Sequence, residues 1–185
     1  SMSLKQTAAP GVEPVTLAEA KAFLRVDTDD EDTFVESLIT TSRLHIEAAL
    51  DLALITQSWR LTVPARTTSI AIPLHPVATV TAVQVRDGDG VETEVALSDI
   101  TIDLDVRPAC VLVPHAGGAA DKTVIAFDAG FGPTDANVPT PIRQALLQLI
   151  AHWFENREPI TFGTTGARIP DTVSALLAPY RQVRL

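Results

Sequence analysis

Four histidines, one cysteine and an acidic run are the parts of this chain that could do chemistry. His45, His75, His115 and His152 stand far apart, with no HExxH motif and no spacing that would set two imidazoles on one metal. All four are expected to be structural. Cys110 and His115, five residues apart, carry no nucleophile signature, and a single cysteine excludes an internal disulfide and a cysteine-built zinc site. Cys110 reads as a small buried residue of a strand, in a chain suited to a reducing compartment. The run DTDDED at 27–32 invites a calcium-loop reading, but an EF-hand begun at Asp27 needs glycine where Asp32 stands and glutamate where Leu38 stands. The glycine-rich TFGTTGAR at 161–168 lacks the ending of a phosphate-binding P-loop and reads as a flexible loop. No catalytic constellation, cofactor fingerprint or metal set emerges.

The elements that would position any site are clearer. In the stretch 139–158, Thr140 is the expected N-cap and Pro141 the first helical residue. Ile142, Ala145, Leu146, Leu149, Ile150, Trp153 and Phe154 recur at helical period, one apolar stripe that must be buried. Asn156 in a left-handed conformation and Pro159 beyond it should end this helix. Near the start, Thr16 and Glu19 spell a reciprocal capping box for a helix reaching about Leu24, with Ala20, Phe23 and Leu24 on its apolar side. A second helix follows the acidic run to about Leu50, burying Phe34, Val35, Leu38, Ile39, Ile46, Ala49 and Leu50. Asp171 should cap a short last helix through Val173, Leu176 and Leu177, stopped by Pro179. Residues 1–14 are assigned no structure, and Ser1 before Met2 is set aside as an added residue.

Between residues 55 and 130 the period changes. Segments 56–63, 69–72, 79–86, 91–97, 100–104, 109–113 and 123–128 are short and rich in Val, Ile and Thr, which predicts antiparallel strands. Asp87-Gly88-Asp89-Gly90 predicts a tight hairpin with glycines at positive φ. Pro64, Pro73, Pro76, Pro108 and Pro114 restrict the sheet to a small, bulged or edge-rich one. The expected class is α+β: a small helical bundle of two N-terminal helices and one long C-terminal helix, with an inserted antiparallel β block, a short final helix and a tail. The expected divisions are 15–54, 55–132, 138–158 and 159–185.

At 46% hydrophobic content, 185 residues can bury a real core, and no apolar run approaches the length of a membrane span; no membrane partner and no export signal are expected. A formal net charge of −9 argues against a surface made for reading nucleic acid. The charge is uneven. From 27 to 51, eight acids (Asp27, Asp29, Asp30, Glu31, Asp32, Glu36, Glu47, Asp51) face one base, Arg43, a balance of −7, whereas 141–185 holds Arg143, Arg157, Arg168, Arg181 and Arg184 against Glu155, Glu158 and Asp171. Solvated helix faces explain this split, and so does a head-to-tail contact between copies, acidic face to basic face.

TLAEAKAFLRVDTDDED at 16–32, ALITQSW at 53–59, VPTPIRQALLQLIAHWFENRE at 138–158 and ALLAPYR at 175–181, in that order and spacing, resemble the head-tail connector (adaptor) proteins of tailed phages and gene transfer agents. The resemblance implies a non-enzymatic structural subunit at the head-tail junction of a virion or virus-like particle, met in the host cytoplasm during assembly. It implies partners too: a portal protein, a stopper or tail protein, and further copies in a twelve-fold ring through which DNA passes transiently. The family's portal-reaching tail maps onto Tyr180, Arg181, Gln182, Val183, Arg184 and Leu185, so Tyr180, Arg181, Arg184 and Leu185 are docking candidates. Asp29, Asp30, Glu31, Asp32, Glu36, Arg43 and Glu47 are candidates for the channel wall or a subunit interface, where acids would repel phosphates and let a duplex slide. Two other classes stand beside this one. An enzyme acting on a small molecule or carbohydrate would need a polar pocket in the β block with His75 or His115 beside carboxylates. A carbohydrate- or protein-binding module would need exposed aromatics there, and the block from 61 to 130 contains only Phe127.

Overall fold

The structure, a computed structural model, describes residues 1–114, 119–157 and 169–182. The chain divides into two compact units: Ser1–Gly11 with Asp51–Pro133, and Val12–Leu50 with Thr134–Leu185. The class is α+β, with four α-helices and only antiparallel sheets among the described residues.

Among its described residues the first unit holds eight strands: β1 (Ser3–Ala8), β2 (Gln57–Pro64), β3 (Ser69–Ala71), β4 (Val77–Asp87), β5 (Glu92–Val95), β6 (Thr101–Asp103), β7 (Cys110–Leu112) and β8 (Ala120–Ala129). Seven coincide with the strands read from the sequence, to within a few residues at their ends. The eighth, β1, falls where no structure was expected; it pairs with β2 from Ser3↔Thr62 to Ala8↔Ser58. Its own pattern is nearly all exposed, so no buried period announced it. The strands form a five-stranded sheet ordered β1-β2-β8-β4-β5 and a three-stranded sheet ordered β3-β7-β6.

Alternation fixes which side of each strand is wet. Leu61, Val63, Val80, Val83, Ile125 and Phe127 of the larger sheet share one core with Ile70 and Val111 of the smaller one and with Ile72 and Val113 just past its strands. Each such side chain is worth about 1.5–3 kcal/mol when withdrawn from water. Pairing of β4 with β8 breaks register between Val77/Thr79, Val80/Ala82 and Arg86/Asp87, so the sheet is bulged as the prolines required. Pro64 ends its strand and the other four prolines lie outside strands, where no ladder donor is lost. In the β4–β5 hairpin only Gly90 takes positive φ (85°); Gly88 does not, because Asp87 Oδ1 accepts from the N–H groups of Asp89 and Val91, both at 2.9 Å, and closes the turn itself.

The second unit contains α1 (Leu17–Leu24), α2 (Asp32–Leu50), α3 (Thr140–Glu155) and α4 (Asp171–Leu177), followed by a 3-10 turn at Ala178–Tyr180. Contacts link α1 to α2, α1 to α3, α2 to α3 and α3 to α4. The Thr16 hydroxyl caps α1, accepting from Glu19 N–H at 3.1 Å. Glu19 does not complete the reciprocal box, because its carboxylate pairs with Arg143 of α3. Phe23 is 41% exposed, so the apolar side of α1 is narrower than expected and centres on Ala20. Thr16→Ala is expected to cost about 1 kcal/mol, seen as a lower denaturation midpoint with unchanged m-value.

The expected N-caps of α3 and α4 move by one residue. Pro139 and Pro170 are the caps, making Thr140 and Asp171 the first helical residues. Pro139 C=O already accepts from the N–H groups of Ile142 and Arg143, and Pro170 C=O from that of Ser174, so both helices start earlier than a side-chain cap would require. The α3 stripe is buried from Ile142 to Trp153, with Phe154 half-buried at its edge. Asn156 is not left-handed (φ −111°); its side-chain amide donates to His152 C=O at 2.9 Å and closes the helix that way. On α2, Val35, Leu38, Ile39, Ile46 and Leu50 are buried as expected while Ala49 is exposed.

Candidate functional site

Charge in the helical unit is organised around three arginines and a lysine. Arg43, in the middle of α2, is 8% exposed and Glu47, one turn on, is 9% exposed. Arg43 Nη1 donates to Glu47 Oε1 at 2.8 Å, Nε to Glu13 Oε2 at 2.7 Å and Nη2 to Glu13 Oε1 at 3.2 Å, while Thr40 Oγ1 adds a bond to Glu13 Oε1 at 3.1 Å. The fork therefore holds one carboxylate bidentately and a second end-on. Burial alone would lower the pKa of Arg43; the bonds and charges of Glu13 and Glu47 raise it overall. Beside this network, Val12, Glu13, Val15, Thr16, Leu17, Glu36, Ile39 and Thr40 line a groove of ≈ 400 Å³.

At the start of α2, Lys21 Nζ lies 2.8 Å from Asp29 Oδ1 and 2.8 Å from Asp32 Oδ1. The Asp32 oxygen is shut from water and lacks an aligned hydrogen bond, so its tie to Lys21 is ionic. Hydrogen bonding to Lys21 lowers the pKa of Asp29, and the two aspartates raise that of Lys21. Arg157, just past α3, bonds Glu31 at 2.7 Å and lies over two rings, 5.1 Å from the Phe34 centroid and 4.8 Å from that of Phe154. The bond to Glu31 raises its pKa.

The candidates read from the sequence therefore separate. Asp29, Asp30 and Glu36 are exposed; Glu31 and Asp32 are half-buried in ion pairs; Arg43 and Glu47 lie inside the unit. Part of the uneven charge is answered within one chain, through Glu31 and Arg157. In the tail, Tyr180 is half-buried and Arg181 Nη2 donates to Ser174 Oγ at 3.0 Å; Arg184 and Leu185 lie outside the described residues, as do His115 and the loop 161–168. Glu13 and Arg143 were missed: Glu13 fell in a stretch given no structure, and an arginine on a helix carries no signal of a partner 124 positions away.

Cys110, His45 and His75 make contacts within the fold. His75 pairs by its backbone with Asp51 and Ala53, and burial, with Arg107 nearby, lowers its pKa. Cys110 is half-buried rather than buried, its Sγ 3.4 Å from Ser69 Oγ. Among the described residues no three His, Cys, Asp or Glu side chains converge as a metal site, and no helix is long and apolar enough to cross a membrane. His45 meets the Trp153 ring edge-on at 5.5 Å, and burial lowers its pKa from the ordinary 6.5. The folded chain then binds this proton at lower pH than the unfolded chain, so stability should fall as the pH drops below about 6.5. Replacing His45 by Gln is expected to flatten that slope in denaturation curves taken between about pH 7.5 and 5.5.

Among the described residues, charged side chains of the helical unit pair with one another, while two strand edges and several acids lie at the surface. The head completion protein family matches residues 13–183, and the chain belongs to that family. Solved structures agree over nearly the whole length. A protein in the neck of an empty gene transfer agent particle computed with C6 symmetry is 29% identical, with TM-score 0.80, over 99% of this chain and 97% of that one. A protein in the virion of a native gene transfer agent particle is 30% identical, with TM-score 0.78, over 98% and 96%. A third, from the neck of a native particle computed with C12 symmetry, is 28% identical, with TM-score 0.74, over 99% and 97%. No curated protein sequence matches. The chain is a head-tail connector, a structural component of the junction between head and tail.

Proposed function

We propose that the chain is one subunit of a twelve-fold ring that sits under the capsid portal, joins it to the stopper or tail, and surrounds the passage taken by DNA. The observation that carries this reading is the match over 99% of the chain to a protein of a gene transfer agent neck computed with C12 symmetry. In this reading the helical unit is a small bundle completed by α3 within the division 138–158, 55–132 is a β subdomain inserted into it, and 159–185 carries the portal-docking tail. Tyr180, Arg181, Arg184 and Leu185 dock on the portal. Asp29, Asp30 and Glu36, being exposed, are the acids available to line the passage, with Glu31 and Asp32 behind them; Arg43 and Glu47 support that wall from inside the unit.

The deciding experiment mixes purified protein with portal and reads mass and symmetry by electron microscopy. A ring of twelve copies seated on the portal is expected, and a stable monomer that ignores the portal overturns the reading. Removing residues 180–185 should leave the unfolding transition in place while abolishing attachment. Replacing Asp29, Asp30 and Glu36 by Asn or Gln should make assembled rings retain DNA at low salt; unchanged retention rejects these acids as channel residues.

A further inference from the structure

The five-stranded sheet ends in two open edges, and they differ. At one end β1 has a single partner, β2, and five of its six residues are exposed. At the other, β5 has only β4, and three of its four residues are exposed. Open edges are templates for further pairing, normally guarded by charge or covered. Here each edge carries a charge without an ion pair among the described residues. Lys5 of β1 stands directly opposite Arg60 of β2, like beside like. Glu94 of β5 stands opposite Gln84, whereas its neighbour Glu92 takes both Arg60, at 3.2 Å, and Arg86, at 2.5 Å. A cation is unspent at one edge and an anion at the other.

Resting on the ring reading, we propose that β1 of one copy pairs with β5 of the next, so that the sheet runs across the subunit boundary. Direction and face both permit it. Each step from β1 through β2, β8 and β4 to β5 is antiparallel, so β1 and β5 point the same way. Turning a copy through one twelfth of a circle leaves that direction nearly unchanged, and the new pair is parallel. Register carries Lys5 to Arg60, Arg60 to Ala126 and Ala126 to Ala82, the solvent face of the sheet; Gln84 and Glu94 lie on that same face. Continuing the sheet therefore sets Lys5 beside Glu94 on one side and half-buried Leu4 among the core-facing side chains of β5 on the other. The contact is heterologous, with different surfaces on the two copies, which is the kind that closes rings. Pairing β1 with β1 would oppose two copies of Lys5 and stop at a dimer.

Two sets of full-length variants test the seam on portal-bound rings. In a Cys110→Ser background, Lys5→Cys with Glu94→Cys should oxidise to a ladder of covalent multimers on a denaturing gel, and neither single cysteine should. Dimers from Lys5→Cys alone, or no ladder from rings that microscopy shows to be intact, overturn the seam while leaving the ring. A wild-type chain that forms no ring on the portal overturns the ring reading itself, and the seam with it. The second set needs no disulfide geometry: Lys5→Glu and Glu94→Lys should each raise the concentration for half-assembly about tenfold, and the combined exchange should restore it. No loss in the single variants, or loss without restoration in chains whose melting is unchanged, overturns the proposal.

Discussion

Arg43→Ala is expected to lower the stability of the protein by about 3–5 kcal/mol, a large fraction of what a domain of this size possesses. The substitution removes the cation that, among the described residues, bridges Glu13 and Glu47, whose side chains are 31% and 10% exposed, so that Glu47 above all is left where little water reaches it. Both carboxylates lose the guanidinium, although Glu13 keeps the Thr40 hydroxyl at 3.1 Å. The loss is read as a lower midpoint in denaturant titration at neutral pH. Glu47→Gln is the contrasting variant. It keeps a group that Arg43 can bond and leaves the bidentate pair with Glu13 in place, so it should cost about 1–2 kcal/mol. Equal losses for the two variants would mean that packing by the arginine stem, and not its charge, matters at this position.

A comparable loss, about 4 kcal/mol or more, is expected from Gly130→Ala. Gly130 has φ +139°, which L side chains rarely adopt, and a Cβ there would lie 2.5 Å from Thr56 N, 2.6 Å from Thr56 Cα and 2.7 Å from the Ile55 carbonyl carbon. All three atoms are backbone, so no rotamer change makes room. The approach is held from both sides: Gly130 N–H donates to Pro76 C=O and Phe131 N–H to Leu54 C=O, both at 2.9 Å, while Thr56 N–H donates to Gly132 C=O at 3.0 Å. The alanine must push apart the segments entering β2 and leaving β8, the two strands that lie side by side in the larger sheet. Loss of the near-ultraviolet signal of Trp59 on β2 would report it, and a well-folded Gly130→Ala chain would show that the loop relaxes more easily than its hydrogen bonds imply.

How far such features could be read in advance depends on whether their cause is local. The α3 stripe and the seven inserted strands are written in side-chain period, and they appear where that period places them. The cap positions were off by one because a proline carbonyl starts a helix as well as a threonine hydroxyl does, and composition does not distinguish them. The β1 strand was invisible because its residues face water and only the backbone holds it. The charged network was half visible: Arg43 and Glu47 sit at i, i+4, but the partner that makes the site, Glu13, comes from 30 residues earlier. Lys5 and Glu94, without an ion pair among the described residues, have no sequence signal at all, since their meaning depends on sheet order and on which strands are left at the rim.

The depth at which the Arg43 cluster lies also separates two responses to ionic strength. Mobile ions screen charges over about 8 Å at physiological salt and less as salt rises, but they do so through water, which the Arg43 fork largely excludes. Exposed carboxylates such as Asp30 and Glu94, and any contact they make with a neighbouring copy, have no such shelter. Brine should therefore take rings apart into subunits that are still folded, and dilution should let the same subunits close again.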